Sequence, residues 1–143
     1  MCIRDSTTES VAIHVRRGDY LHDVLFRDAC GLTYYQRAIA TILQHVVHPV
    51  FYLFSDDMAW CRQHIQPLLQ TNEAVFIDWN SGSANICDLH LMTLCQHHII
   101  ANSSFSWWGA WLSPHQAGWI IAPKRWYAQD GKVSLAAERW IKL

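Results

Sequence analysis

The 143-residue chain lacks several features that identify common classes of protein. It has no apolar run long enough to cross a membrane as a helix, and its N-terminus does not resemble a signal peptide. Eleven lysines and arginines are balanced by twelve aspartates and glutamates, so the formal net charge is -1. Without a broad basic surface, no binding to nucleic acid is expected. Any anion that the chain binds must therefore be held by local groups.

Cysteine, histidine and glycine are also absent from the spacings that mark well-known sites. The five cysteines form no C-x-x-C pair, and the nine histidines are scattered, so no disulfide framework and no metal site are expected. Neither G-x-x-x-x-G-K-[ST] nor G-x-G-x-x-G occurs, which argues against a P-loop or a dinucleotide site. We expect reduced, mostly buried thiols in a cytoplasmic protein. Peripheral association with the inner face of the membrane is compatible with that location.

The sequence does contain alternating strand and helix patterns. Apolar residues make up 51% of the chain, enough for a sizeable core. Short apolar runs predict strands at residues 11–15, 50–54, 74–78, 98–101 and 118–122. Helical periodicity predicts helices at residues 34–47, 58–64, 84–97 and 105–112, with a weaker one near 135–140.

This alternation predicts an α/β fold with a Rossmann-like parallel sheet and helices on both faces. The strands are continuous apolar runs, as expected when both faces of a sheet are covered. Residues 11–143 are predicted to form one domain, whereas residues 1–10 fit no element. Because a core strand follows so soon after the start, we expect the chain to be a fragment and residues 1–6 not to be native sequence.

Three polar loops follow the predicted strands at residues 16–20, 55–57 and 102–106. In open parallel sheets, ligands bind outside the carboxyl ends of the strands. The first loop supplies two arginines, and the last supplies hydroxyls and N–H groups at a helix N-terminus. Arginines opposite a helix N-terminus are suited to a diphosphate. A nucleoside diphosphate is therefore a reasonable ligand on chemical grounds.

Three sequence blocks resemble the α-1,2-fucosyltransferases, in their bacterial type, glycosyltransferase family 11. HVRRGDY at residues 14–20 resembles the HxRRGDY signature of that family. FSDD at residues 54–57 resembles its second block. DLHLMT at residues 88–93, followed by ANSSFSWWGAWL at residues 101–112, resembles its third. The blocks occur in the order typical of the family.

The resemblance implies the C-terminal, donor-binding lobe of a two-lobed glycosyltransferase of the GT-B type. Such enzymes transfer L-fucose from GDP-fucose to the 2-hydroxyl of a galactose-terminated glycan, with inversion and without a metal or other cofactor. Members are usually about twice this length, so the N-terminal acceptor lobe is expected to be missing. Two alternatives are a transferase that uses another nucleotide sugar and a catalytically inactive module that binds nucleotide or carbohydrate.

The first block supplies four candidate site residues. The resemblance assigns Arg16 to the donor diphosphate, where it would also act in catalysis; the alternative is a solvated arginine. Arg17 is assigned to the donor as well, or it points the other way and pairs with a carboxylate. His14 contacts the nucleotide or is an ordinary core histidine. Asp19 is a candidate general base, or it pairs with Arg17 and shapes the loop.

The third block supplies three more candidates. The resemblance implies that Asp88 holds the guanine N–H donors, against the alternative of a helix-dipole contact. Ser103 and Ser104 are predicted to contact phosphate, to cap the helix, or to do both. Trp107 and Trp111 share a helix face and are expected to pack on the sheet or on the missing lobe. For the adjacent Asp56 and Asp57, helix capping and loop ordering are favoured over metal binding.

Overall fold

The computed structural model describes residues 8–17, 30–77, 85–115, 117–124, 137 and 139–143. Within these residues the strands are β1 (Glu9–Val15), β2 (Pro49–Ser55), β3 (Ala74–Ile77), β4 (His97–Ile99), β5 (Ile120–Ala122) and β6 (Ile141–Lys142). The helices are α1 (Leu32–His45), α2 (Met58–Trp60), α3 (Asn85–Leu94) and α4 (Ser104–Trp111). A π turn (Cys61–Ile65) and a 3-10 turn (Gln66–Leu69) continue α2.

The described strands form one sheet in the order β3-β2-β1-β4-β5-β6, and all neighbours are parallel. This is the order of a doubly wound Rossmann fold, in which the direction of winding reverses between β1 and β4. The predicted fold class is therefore confirmed. The reversal also fixes where a ligand crevice should lie, outside the carboxyl ends of β1 and β4.

The two faces of the sheet are covered by different helices. Alternate residues of β1, Val11, Ile13 and Val15, belong to a core cluster that includes the apolar side of α1 and the turns after α2. Ala12 points to the opposite face and lies in a cluster with Met92 of α3. A third cluster joins α4 to β5 and the chain terminus. This two-sided burial is why the strands are apolar throughout.

Strands β1 and β4 separate at the edge where a ligand is expected. Their pairing ends at Ile13 and Ile99, whereas β1 stays paired with β2 as far as Val15. Buried carbonyls at such a gap need other donors. Tyr35 of α1 donates its hydroxyl to the His14 carbonyl at 2.8 Å. Tyr34 donates to the Ile100 carbonyl at 2.7 Å, so two tyrosines secure the edges of the gap.

Several boundaries differ from the sequence prediction. Helix α3 ends at Leu94, before the predicted residue 97, because Gln96 is tied to β1: its N–H donates to the Ser10 carbonyl at 3.0 Å, and its side-chain oxygen accepts from the Ser10 N–H at 3.1 Å. Strand β4 therefore starts at His97. The helix predicted near 135–140 falls mostly outside the described residues, and the short β6 was not predicted.

The four described cysteines are free thiols, and Cys61 and Cys95 among them are fully buried, as expected. Cys87 is the exception, since it is exposed on α3. Among the described helices, none combines the length and the apolar character that a membrane crossing requires.

Candidate functional site

The carboxyl ends of β1 and β2 are joined by two arginine–aspartate pairs. Arg16 Nε lies 3.7 Å from Asp56 Oδ2, and Arg17 Nε lies 3.4 Å from Asp57 Oδ2. Because His14 is level with Phe54 in the strand register, Arg16 and Asp56 continue the row that faces α3 and α4. Arg17 and Asp57 continue the row that faces α1 and α2. The two arginines therefore point to opposite faces of the sheet.

Arg17 has the arrangement foreseen as its alternative, a pairing with a carboxylate on the opposite side. Its guanidinium carbon also lies 4.2 Å from the centroid of the Trp60 ring. Its assignment to the donor stays a prediction. Asp57 is the N-cap of α2 and accepts the Trp60 N–H at 3.1 Å. It therefore has the helix-capping role that the sequence favoured over metal binding. Asp56 orders the loop by accepting the Arg17 N–H at 2.9 Å.

His14 is buried on the same face as Arg16. Its side chain lies beside Phe105 of α4, with ring centroids 5.4 Å apart, and the residue is 6% exposed. Among the described residues, its Nδ1 atom has no hydrogen-bond partner. Burial, with a smaller contribution from the positive charge of Arg16, lowers the pKa of His14 to about 3. The imidazole is therefore neutral, with one buried ring nitrogen available to a ligand.

Helix α4 begins directly after the β4 end, on the same face as His14. Ser103 is its N-cap and accepts the Phe105 N–H at 3.3 Å. Helix geometry leaves the N–H groups of Ser104 and Ser106 without intrahelical acceptors. Ser106 is buried and its Oγ accepts the Ala101 N–H at 3.2 Å, which fixes the turn from strand to helix. The α4 N-terminus thus offers donors and a partial positive charge to an anion.

Asp88 approaches this region from α3. Helices α3 and α4 touch where Met92 meets Gly109, so closely that a Cβ at Gly109 would overlap the Met92 side chain. Both helices run away from the carboxyl edge of the sheet. Asp88 is one turn before Met92, and Phe105 is about one turn before Gly109, so Asp88 and Phe105 lie at a similar level near that edge.

The tryptophans of α4 divide into packed and exposed members. Trp107 and Trp111 share a face as predicted, with ring centroids 5.3 Å apart and planes 12° apart. Trp107 packs against Trp140 of the third core cluster, with centroids 6.0 Å apart. Trp108 and Trp111 remain 47% and 46% exposed. Packing against the sheet side is thus confirmed for Trp107 only.

The structure brings together most, but not all, of the residues predicted for the site. His14 lies beside Phe105 of α4, and Ser103 and Ser104 begin that helix. Arg16 continues the His14 row beyond β1, and Asp88 is in the first turn of α3, so strand register and helix position put both near the same edge of the sheet. Asp19 lies outside the described residues. In the described part of the chain, no group of three or more His, Cys, Asp or Glu residues is placed to hold a metal ion.

The sequence reasoning missed three aromatic residues that build this edge, which are Tyr34, Tyr35 and Phe105. Two consecutive tyrosines in the first turn of a helix were the available signal, because buried tyrosine hydroxyls need partners. Phe105 was not considered because the prediction for this segment concerned the neighbouring serines.

Two buried neutral histidines predict a loss of stability in acid. Burial lowers the pKa of His98 to about 4, although its contact with the Met92 carbonyl opposes that shift, and the pKa of His14 is about 3. The unfolded chain binds these protons near pH 6.5, so their stabilisation is complete above that pH and falls as the pH decreases toward 4. At pH 5.5 each histidine should lower the free energy of unfolding by about 1.4 kcal/mol relative to pH 7.5.

Urea unfolding of wild type and His98→Gln at the two pH values tests this expectation. Glutamine can still donate to the Met92 carbonyl, which lies 2.8 Å from His98 Nε2, so the variant should lose only about half as much stability between pH 7.5 and 5.5. The exposed His48→Gln is the matched control and should behave as wild type. An equal loss in wild type and His98→Gln would contradict the assignment.

Comparisons with known proteins identify relatives of this chain. The family model described as Glycosyl transferase family 11 matches residues 2–143. An α-1,2-colitosyltransferase of Escherichia coli is 37% identical over 142 residues, covering 95% of this chain and 48% of the relative. The O-antigen biosynthesis glycosyltransferase WbnK of Escherichia coli is 32% identical over 148 residues, covering 100% of this chain and 46% of the relative.

A eukaryotic relative is also similar. The galactoside α-(1,2)-fucosyltransferase 2 of Mus musculus is 34% identical over 107 residues, covering 72% of this chain and 30% of the relative. No solved structure gives a significant match. The chain thus spans about half the length of the bacterial relatives it matches.

Proposed function

Since the chain belongs to glycosyl transferase family 11, we propose that it is the donor-binding lobe of an inverting transferase. In this proposal the enzyme moves L-fucose from GDP-fucose to the 2-hydroxyl of a terminal galactose. One observation carries the proposal: Arg16, the buried neutral His14 and the α4 N-terminus share one face where β1 and β4 separate. This is the crevice in which doubly wound folds bind nucleotides.

The proposed mechanism depends on stabilising the leaving group. Attack by the acceptor hydroxyl on the anomeric carbon breaks the bond to the diphosphate and passes through an oxocarbenium-like state. Negative charge then develops on GDP. The Arg16 guanidinium and the N–H groups at the start of α4 are placed to neutralise it, and no metal ion is included in this proposal. We propose Asp19 as the base for the acceptor hydroxyl, a role secondary to this charge neutralisation.

The proposed nucleotide contacts follow from the same face. Ser103 caps α4 while the N–H group of the exposed Ser104 binds a phosphate oxygen. The His14 ring and Phe105 line the crevice beside them. Asp88 accepts the N1–H and the 2-amino group of guanine, since a carboxylate can accept both.

Nucleotide binding by the 143-residue chain tests the proposal. Titration calorimetry should give tighter binding for GDP than for GMP, because the second phosphate reaches Arg16. It should also give tighter binding for GDP than for UDP. Asp88→Asn should weaken GDP binding by about tenfold and leave UDP binding nearly unchanged, since an amide offers one acceptor and one mismatched donor to guanine. Equal affinity for GDP and UDP would contradict the guanine assignment.

A second donor is favoured by one comparison. The relative that is 37% identical over 95% of the chain is named an α-1,2-colitosyltransferase. Colitose is L-fucose without its 3-hydroxyl, so a site for one sugar resembles a site for the other. Transfer assays of the whole protein with GDP-fucose and GDP-colitose in competition distinguish the two. A preference for GDP-colitose would replace the fucosyl assignment, and GDP binding without any transfer would favour an inactive nucleotide-binding module.

A further inference from the structure

The two adjacent arginines of the first loop are held in very different surroundings. Arg16 continues the row of His14 and faces α4, whereas Arg17 is engaged on the other face of the sheet. The side chain of Arg17 is 27% exposed and that of its partner Asp57 is 35% exposed. Arg17 therefore has little freedom to reach a ligand on the α4 side.

Three contacts hold Arg17 in this place. Its guanidinium lies over the Trp60 ring, 4.2 Å from the centroid, and its Nε donates to Asp57 Oδ2 at 3.4 Å. Its backbone N–H donates to Asp56 Oδ1 at 2.9 Å. An arginine stacked on an aromatic face while it pairs with a carboxylate uses both properties of the planar guanidinium.

The partners of Arg17 are themselves fixed. The other oxygen of Asp57 accepts the Trp60 N–H at 3.1 Å and caps α2, so both carboxylate oxygens are used. The Asp57 N–H in turn donates to Ser55 Oγ at 2.9 Å. The Trp60 ring packs edge-on against Tyr35, with centroids 6.4 Å apart. The Tyr35 hydroxyl also donates to the His14 carbonyl, so this network reaches β1, the strand that Arg16 directly follows.

We infer that Arg17, Asp57 and Trp60 form a clamp that positions Arg16, and that Arg17 itself does not touch the donor. This inference rests on the proposed donor site. Because successive residues of an extended chain point to opposite sides, anchoring Arg17 toward α2 directs Arg16 toward α4. In this inference the clamp sets the direction in which the Arg16 guanidinium points.

A double-mutant cycle on GDP affinity tests the clamp. Arg17→Met keeps an apolar stem on Trp60 and removes the guanidinium. Asp57→Asn keeps the helix cap, since asparagine caps as well as aspartate, and removes the ion pair. Each single variant should weaken GDP binding by about tenfold, and the double variant by about the same factor rather than by the product of the two. Arg17→Lys should restore part of the loss.

The sign of the Asp57→Asn effect separates the clamp from a direct contact. If Arg17 bound the diphosphate itself, removing a nearby negative charge would leave GDP binding unchanged or strengthen it, and the two substitutions would act additively. Either result would overturn the clamp. Unfolding midpoints of the variants should stay close to that of wild type, because partly exposed ion pairs contribute little to stability.

A matched control and the wild-type measurement complete the design. Arg62 also lies over an aromatic ring, with its guanidinium carbon 4.7 Å from the centroid of Phe76. That ring belongs to β3, the edge strand of the sheet. Arg62→Met should leave GDP binding unchanged. If wild type fails to bind GDP, the proposed function fails and the clamp fails with it. If wild type binds GDP and Arg16→Ala weakens binding while Asp57→Asn does not, only the clamp is overturned.

Discussion

Arg16→Ala is expected to weaken GDP binding by about 100-fold or more, because a charge-assisted hydrogen bond contributes about 1.5–3 kcal/mol and a guanidinium can make two to a diphosphate. In the free chain the Arg16 side chain is 34% exposed, and its Nε is 3.7 Å from an equally exposed Asp56. A partly exposed ion pair at this distance contributes little to stability, so a diphosphate can compete with Asp56 for the guanidinium. Titration calorimetry with GDP measures the loss.

Two further variants define what Arg16 supplies. Arg16→Lys keeps the charge but lacks the planar fork, so its GDP affinity should fall between those of wild type and Arg16→Ala. Arg62→Met removes an arginine that packs on Phe76 of β3, two strands away from β1, and should bind GDP as wild type does. Undiminished GDP affinity in Arg16→Ala, in a variant with the unfolding midpoint of wild type, would remove the donor site from this face of the sheet.

The fold could be predicted from the sequence largely because parallel strands have a simple signature. Both faces of β1 and β2 are covered, so residues 11–15 and 50–54 are apolar without interruption, and their assignment needed no knowledge of their neighbours. The α3–β4 boundary was wrong because the pairing of Gln96 with Ser10 connects residues 86 positions apart. Local patterns carry no information about such a contact. Strand β6 was missed for a related reason, since two residues are too few to show a period.

The candidate site residues were chosen partly because charged and polar residues directly follow the predicted strands. Arg16 and Ser103 were proposed because they follow a strand and start a helix, positions that meet in a parallel sheet, and because they match the family's blocks, whereas His14 was proposed from the resemblance. The sequence could only pose alternatives for Arg17, because the choice depends on whether Asp57 and Trp60 are within reach. Helix capping was expected of both Asp56 and Asp57, and only the structure shows that Asp57 is the N-cap of α2. These roles depend on distances across the sheet, which the order of residues does not give.

Gly118→Ala is expected to have the largest effect on stability, because Gly118, just before β5, lies against the main chain just before β4. A Cβ at Gly118 would collide with the carbonyl oxygen of Gln96 and come within 3.3 Å of the His115 carbonyl oxygen. Both are backbone atoms, so relief requires a shift of main chain rather than rotation of a side chain. Overpacking usually costs about 1–3 kcal/mol, and we expect a cost at or above the upper end of that range.

Two hydrogen bonds connect the colliding segments to neighbouring strands, so a main-chain shift there would also displace those strands. Gln96 is bonded to Ser10 of β1, and the Trp119 N–H donates to His97 Nδ1 at 2.9 Å. Displacing β5 there would disturb the β1–β4–β5 alignment that places α4 opposite Arg16. Gly31→Ala is the matched control, since a Cβ at Gly31 has no atom within 4 Å; because Gly31 is the N-cap of α1, only a small loss of stability is expected. If Gly118→Ala unfolded at the same urea concentration as Gly31→Ala, the close approach of the chain segments that precede β4 and β5 would be wrong.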